Sequence, residues 1–284
     1  MKRFAVIALA VILWTPGPGM AQVTPIPQPL NSVFIGDLTW DEIRDHLAEG
    51  KTSAIIATAG TEQNGPHMVM GKHRFILEYT TDKIARGLGD ALVAPIITYV
   101  PEGSWENPGG HMAKAGTITL PNPMFMELLE HTAKSLKAGG FTDILFIGDS
   151  GGNQNGMRDV AAALNEEWAG SGSRAHWIGE YYSDPDGRAN RYVTEDLGIA
   201  ESEIGSHAGI LDTSQLMFVN PNYIRWDQLA KDGGMPDSGV RGNPTLATPE
   251  IGRILLNIKI DLAVEQIRRS VGDRSTGDPR EVLR

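Results

Sequence analysis

Short apolar runs and amphipathic stretches alternate along most of this chain. "SAIIATAG" (53–60), "ALVAPIITYV" (91–100), "DILFIGD" (143–149) and "AHWIGEYY" (175–182) are brief, apolar and bounded by turn or polar residues, which predicts buried strands. Helical spacing separates them. "LTWDEIRDHLAEG" has Thr39 placed as N-cap and Gly50 as the stop, and a second pattern runs from Phe75 to Arg86. "NPMFMELLEHTAKSLKAGG" (122–140) and "GMRDVAAALNEEWAG" (156–170) follow. "TPEIGRILLNIKIDLAVEQIRR" (248–269), with Thr248 as N-cap and Pro249 in the first turn, carries the strongest helical signal. Strand–helix alternation predicts parallel β-α-β units wound right-handedly into a three-layer α/β/α sandwich around a mostly parallel central sheet. Ligands bind outside the carboxyl ends of such strands. Two polar clusters, 61–73 and 149–155, fall there, and without a repeat or low-complexity linker residues 36–271 read as a single domain.

The N-terminus breaks the pattern. Lys2 and Arg3 precede an apolar run from Phe4 to Trp14, then "TPGPG" and the small-residue pattern ending at Ala21. That is the layout of a secretory signal peptide over residues 1–21, so the mature chain is expected to be exported to the periplasm or beyond. Residues 22–35 are Pro-rich and read as an extended lead-in, and residues 272–284 as a disordered tail. A net charge of −10 without a long basic run argues against nucleic acid, and against a membrane surface once the signal is cleaved. There is no cysteine, which excludes disulfides and thiolate chemistry, so any metal must be held by imidazole and carboxylate.

Four clusters can carry chemistry. "TEQNGPHMVMGKH" (61–73) gathers Glu62, Asn64, His67 and His73, suitable donors for zinc or manganese but weakly specific in spacing. "GDSGGNQNG" (148–156) offers two readings. Ser150 is a nucleophile if a base lies within reach, or Gly151 and Gly152 simply let the backbone approach a ligand, with Ser150 and Asn153 lining the site. The string GDSGG also surrounds the nucleophile of trypsin-like proteases, but those are all-β, whereas this segment reads strand, glycine loop, helix. "GSHAGILDTSQLMFVNP" (205–221) holds His207 and Asp212, which face one pocket or, for Asp212, cap a helix. The long loop 101–116 carries Ser104, Trp105 and His111, candidate substrate contacts.

Taken in order, these segments resemble the creatininase family of amidohydrolases. "VFIGDLTWDEI" (33–43) is similar to the family's opening segment, and "GTEQNGPHMVMGKH" (60–73) resembles G-S-x-E-Q-H-G-P-H-L-P-x-G-x-D. "GHMAKAGTITL" (110–120), "GDSGGNQ" (148–154) and "HAGILDTS" (207–214) resemble H-x-x-F-P-G-T-x-x-L, N-G-H-G-G-N and H-A-G-x-x-E-T-S. The resemblance implies a three-layer sandwich, assembly as a homo-oligomer (a hexamer), and hydrolysis of non-peptide C–N bonds in small molecules at a two-metal centre of zinc or manganese. It also implies that Glu62 is a metal ligand and that the His207 imidazole assists proton transfer. Asn64 stands where the family has a ligand His, His73 where it has the bridging Asp, Ser150 where it has the His of N-G-H, and Asp212 where it has Glu. Imidazole offers one lone pair and cannot bridge two ions as a carboxylate does. The expectation is therefore one divalent ion per chain on Glu62, His73 and Asp212, with Asn64 and Ser150 at its edge. Two alternatives stay open: a metal-free small-molecule-binding homologue that has lost catalysis, and a Ser150-dependent hydrolase.

Overall fold

The computed structural model describes residues 31–232 and 237–272. The signal peptide, most of the lead-in and nearly all of the tail expected from the sequence lie outside the described residues. No helix among the described residues is long and apolar enough to cross a membrane.

Four parallel strands form the sheet: β1 (Ser53–Thr58), β2 (Ala91–Val93), β3 (Asp143–Gly148) and β4 (Arg174–Trp177), in the order β2-β1-β3-β4. β1 and β3 pair along their whole length, from Ser53 opposite Asp143 to Thr58 opposite Gly148, and both are buried throughout. Burial on both faces is what continuous apolar strands require. Alternate residues point to opposite sides. Ala54, Ile56, Ile144 and Phe146 pack on one face with Phe125, Leu129, Met157 and Val160, while Ile55, Ala57, Leu145 and Ile147 pack on the other with Leu77, Ile84, Ala263 and Ile267.

Those partners come from helices on both sides. α1 (Trp40–Ala48), α2 (Lys72–Leu88), α3 (Asn122–Ala138) and α4 (Gln154–Glu167) alternate with the strands. Short helices α5 (Glu180–Ser183), α6 (Arg188–Arg191) and α7 (Glu201–Ile204) lead to α8 (Ile210–Val219), α9 (Trp226–Asp232) and the long α10 (Pro249–Gly272). Thr39 caps α1 through a reciprocal capping box with Glu42, and Gly89 closes α2 in the left-handed conformation at φ 84°.

Two expected strands are shorter than their apolar runs. In 91–100 the regular ladder stops after Val93. Pro95 has no N–H to give, and pairing resumes only when the Ile97 amide donates to Ala57. In 175–182 the strand ends at Trp177 and the chain turns into α5, just past the end of its neighbour β3. The second helix starts three residues earlier than its apolar period suggests, at Lys72, and this shift decides how the site is built.

Candidate active site

Loops following the carboxyl ends of β1, β2 and β3 surround a cavity of about 750 Å³, lined by Glu62, Lys72, His73, Glu102, Asp149 and His207 among others. This is the sheet edge at which the parallel topology predicts a ligand site.

Lys72 and His73 occupy the first turn of α2. They continue its inward stripe of Ile76, Leu77, Thr80, Thr81 and Ile84, so the helix drives two polar side chains into the interior; Lys72 is 1% exposed. Cations at a helix N-terminus oppose the helix dipole. Carboxylates compensate. The Lys72 ammonium lies 3.2 Å from Asp212 Oδ2 and 3.9 Å from Glu62 Oε1. His73 bridges two acids, with Nε2 2.8 Å from Glu62 Oε1 and Nδ1 2.8 Å from Asp149 Oδ2. The second oxygen of Asp149 accepts from Lys259, which sits on the buried stripe of α10 between Leu255 and Ala263.

These contacts set the protonation states. Burial opposes ionisation of Glu62, but the hydrogen bond from His73, its charge and that of Lys72 outweigh it and hold the carboxyl below the carboxylate range. Burial likewise opposes charging Lys72 and His73. Asp212, Glu62 and Asp149 more than offset this for Lys72, and the hydrogen bonds to Asp149 and Glu62 do so for His73, so both are raised. Glu102 does the reverse. Burial and the neighbouring Glu62 charge push it up to about 9, so its carboxyl is neutral at neutral pH.

That shift has a consequence for stability. Between the ordinary carboxyl value of 4.5 and about 9, the folded chain binds one proton more than the unfolded chain at Glu102. Its contribution to stability therefore falls as pH rises through this window. Glu102→Gln mimics the neutral form and is expected to flatten the slope. Urea midpoints in chelating buffer at about pH 6 and about pH 8.5 should differ less in the variant than in the wild type.

The other wall of the cavity holds two imidazoles. His111 Nδ1 lies 3.3 Å from Glu62 Oε2 and 3.2 Å from the Gln63 amide nitrogen. His207 Nε2 donates to the Gln63 carbonyl at 2.9 Å, which turns Nδ1 toward Glu62 Oε1 at 3.9 Å. Burial and the Lys72 charge push His207 below its usual range, keeping it neutral. Its neighbour Ala208 takes φ 53°, a left-handed conformation held by its amide's 2.8 Å bond to Asp212 Oδ2. Donor atoms of Glu62, His111 and His207 all lie within 4.8 Å of one another, a set suited to one divalent ion.

This geometry rearranges the expected ligand set. Glu62 stays, but both nitrogens of His73 face carboxylates and Asp212 faces Lys72, so His111 and His207 are the imidazoles that converge on Glu62. His207, expected from the sequence to assist proton transfer, has its Nδ1 directed at Glu62 beside His111. Asn64 and Asn153 are fully buried behind the cavity. Asn64 donates to the Glu62 carbonyl at 2.9 Å, and Asn153 to Thr58 and Ala59, fastening loops instead of lining the site. Ser104 and Trp105 lie on the exposed part of their loop, where Ser104 accepts from the Glu106 amide. Ser150, Gly151 and Gly152 do line the cavity, and a side chain on Gly152 would meet the Pro101 carbonyl at 2.7 Å. Among the described residues no base hydrogen-bonds the Ser150 hydroxyl, so the contacts a serine nucleophile needs are absent. The sequence reading missed Lys72, Glu102, Asp149 and Lys259. For Lys72 and Lys259 a signal existed, since each falls in register with the apolar stripe of its helix.

The family model for creatininase, creatinine amidohydrolase, matches residues 36–267. The chain belongs to the creatininase family. It is thus an amidohydrolase-family chain, and its curated relatives carry two kinds of name. A mycofactocin precursor peptide peptidase of Mycolicibacterium smegmatis is 24% identical over 244 residues, covering 78% of this chain and 86% of the relative. A creatinine amidohydrolase of Pseudomonas putida is 22% identical over 261 residues, covering 84% and 96%. Among solved structures, a manganese creatininase superposes with a TM-score of 0.69 at 20% identity, covering 84% of this chain and 99% of that one. A zinc–zinc form of a creatininase mutant gives 0.68 at 20%, covering 85% and 99%. These structural matches show the shared three-layer fold.

Proposed function

We propose that this creatininase-family chain hydrolyses an amide or lactam C–N bond of a small molecule, with one divalent ion, zinc or manganese, held by Glu62, His111 and His207. The carrying observation is the convergence of those three side chains, with the His207 tautomer fixed by the Gln63 carbonyl. An ion there would act as a Lewis acid on the amide carbonyl and make water more acidic. The chain's own groups do the rest. Gln63, whose Oε1 is held by the Gly65 amide at 3.0 Å, points its side-chain nitrogen at His111 Nδ1 at 3.2 Å, while its main-chain carbonyl orients His207. Glu102, lining the same cavity and kept neutral by burial and the Glu62 charge, is the acid placed to protonate a leaving nitrogen. Tyr182 stands across from Gly151 and narrows the mouth. A cavity of about 750 Å³ suits a small molecule. We take the reaction to occur after export, on the strength of the N-terminal pattern.

The names of the mycobacterial relatives favour a second reading, in which the amide is in a peptide. Turnover assays on a panel of lactams and of short peptides separate the two. Lactam cleavage alone supports the first reading, and peptide cleavage alone replaces it. In either case activity should fall to background after chelation and return with zinc or manganese. His111→Ala and His207→Ala should each lose the ion in elemental analysis. Full activity in chelator would sink the metal assignment.

A further inference from the structure

Glu62 has two faces. Oε2 looks toward His111, whereas Oε1, which His207 Nδ1 approaches from the same wall at 3.9 Å, is engaged from the other side by His73 at 2.8 Å and approached by Lys72 at 3.9 Å. On the second face the carboxyl groups of Glu62, Asp149 and Asp212 are met by the ammonium groups of Lys72 and Lys259 and by both nitrogens of His73. Lys72 is the pivotal member. An ammonium has three N–H donors and no lone pair, so it can satisfy carboxylates but cannot ligate. It stands between Glu62 and Asp212, and His73 offers no free nitrogen. The carboxylates a second ion would need are turned toward internal cations, while a creatininase mutant of the same fold is of a zinc–zinc type.

We infer that the Lys72 ammonium is a built-in substitute for one of two metal ions, so that this site accepts at most one divalent cation, on the His111–His207 side of Glu62. The reason is electrostatic exclusion. A divalent ion entering between Glu62 and Asp212 would sit against a buried ammonium with little water to screen it. Two substitutions are then needed to open the position, one to remove the ammonium and one to supply a carboxylate. The inference stands on the Lys72 geometry and holds whether the His111 side takes one ion or none.

The test is the number of zinc ions per chain. Full-length protein is dialysed against zinc, freed of loosely held ions and measured by elemental analysis, with isothermal titration of zinc into metal-free protein as a second readout. Wild type is expected to hold no more than one ion. His73→Asp alone should gain none, and Lys72→Met/His73→Asp should hold one more than wild type. That gain should persist when His207→Ala is added. Two ions in wild type would overturn the inference and needs no variant to observe. A folded double variant that gains nothing, or a gain with His73→Asp alone, would overturn it too. Zero ions in wild type with a gain in the double variant would uphold it while removing the one-ion reading of the active site.

Discussion

In chelating buffer at neutral pH, Lys72→Met is expected to lower the free energy of unfolding by about 3–5 kcal/mol, the usual result of removing one partner from a buried ion pair. Methionine fills the same channel, so the loss is electrostatic rather than a cavity effect. Glu62 keeps His73 as a partner, but among the described residues Asp212 keeps only the Ala208 amide as a hydrogen-bond donor. Because the Asp212 side chain is 26% exposed, some water reaches it and the cost should fall near the lower bound. For a chain of this size that is a drop in melting temperature of about 6–12 °C. The pH dependence gives the sign. Burial opposes ionisation of Asp212, but the Lys72 charge, followed by His73 and His207, depresses its folded-state value below 3.8. A depressed carboxyl contributes stability that is present above its unfolded value and lost as pH falls through the folded one. The gap between wild type and variant should therefore shrink on acidification below about pH 4. A gap that stays constant with pH would mean that packing, and not charge, explains the loss. If Lys72 stands in for a cation, saturating zinc should restore part of the loss in Lys72→Met/His73→Asp, by about 2.7 kcal/mol at a hundredfold excess over the dissociation constant.

Glu62→Gln is expected to lower kcat/KM by about 10²–10³-fold, which corresponds to the several kcal/mol an ion supplies to a transition state. The variant keeps the shape of the side chain and removes the charge on which His111, His207, His73 and Lys72 converge. It should lose the ion, seen directly in elemental analysis. Glu102 complicates the stability arm in a useful way. Its raised value owes most to burial and next to the Glu62 charge, so neutralising Glu62 lets Glu102 ionise beside Lys72 and recover part of the balance. Glu62→Gln should therefore remain folded, and Glu62→Gln/Glu102→Gln should be less stable than additivity predicts. Activity unchanged in Glu62→Gln would remove this carboxylate from the chemistry.

The family assignment and these predictions rest on different kinds of information, and the particular residues show why. The layered sheet was legible because burial on both faces forces continuous apolar strands such as "DILFIGD", and because helices facing a core repeat every three to four residues. Glu62 and His111 were legible as chemistry because they sit in loops that follow strands, and His207 because it sits in a loop of small residues, where polar residues have little structural reason to gather. The partners were not. His73 and Asp149 are 76 residues apart, and Asp149 and Lys259 110 apart, so nothing in local pattern couples them. A polar residue in the inward stripe of a helix reads as a boundary, so the apolar period of α2 begins at Phe75 and leaves Lys72 outside it. Sequence alone determined the fold, the edge of the sheet that carries the site and the residue types available there. Which acid meets which cation, and so how many places remain for a metal, was decided by tertiary structure, because a buried charge is stabilised only by groups within a few ångströms, whatever their separation along the chain.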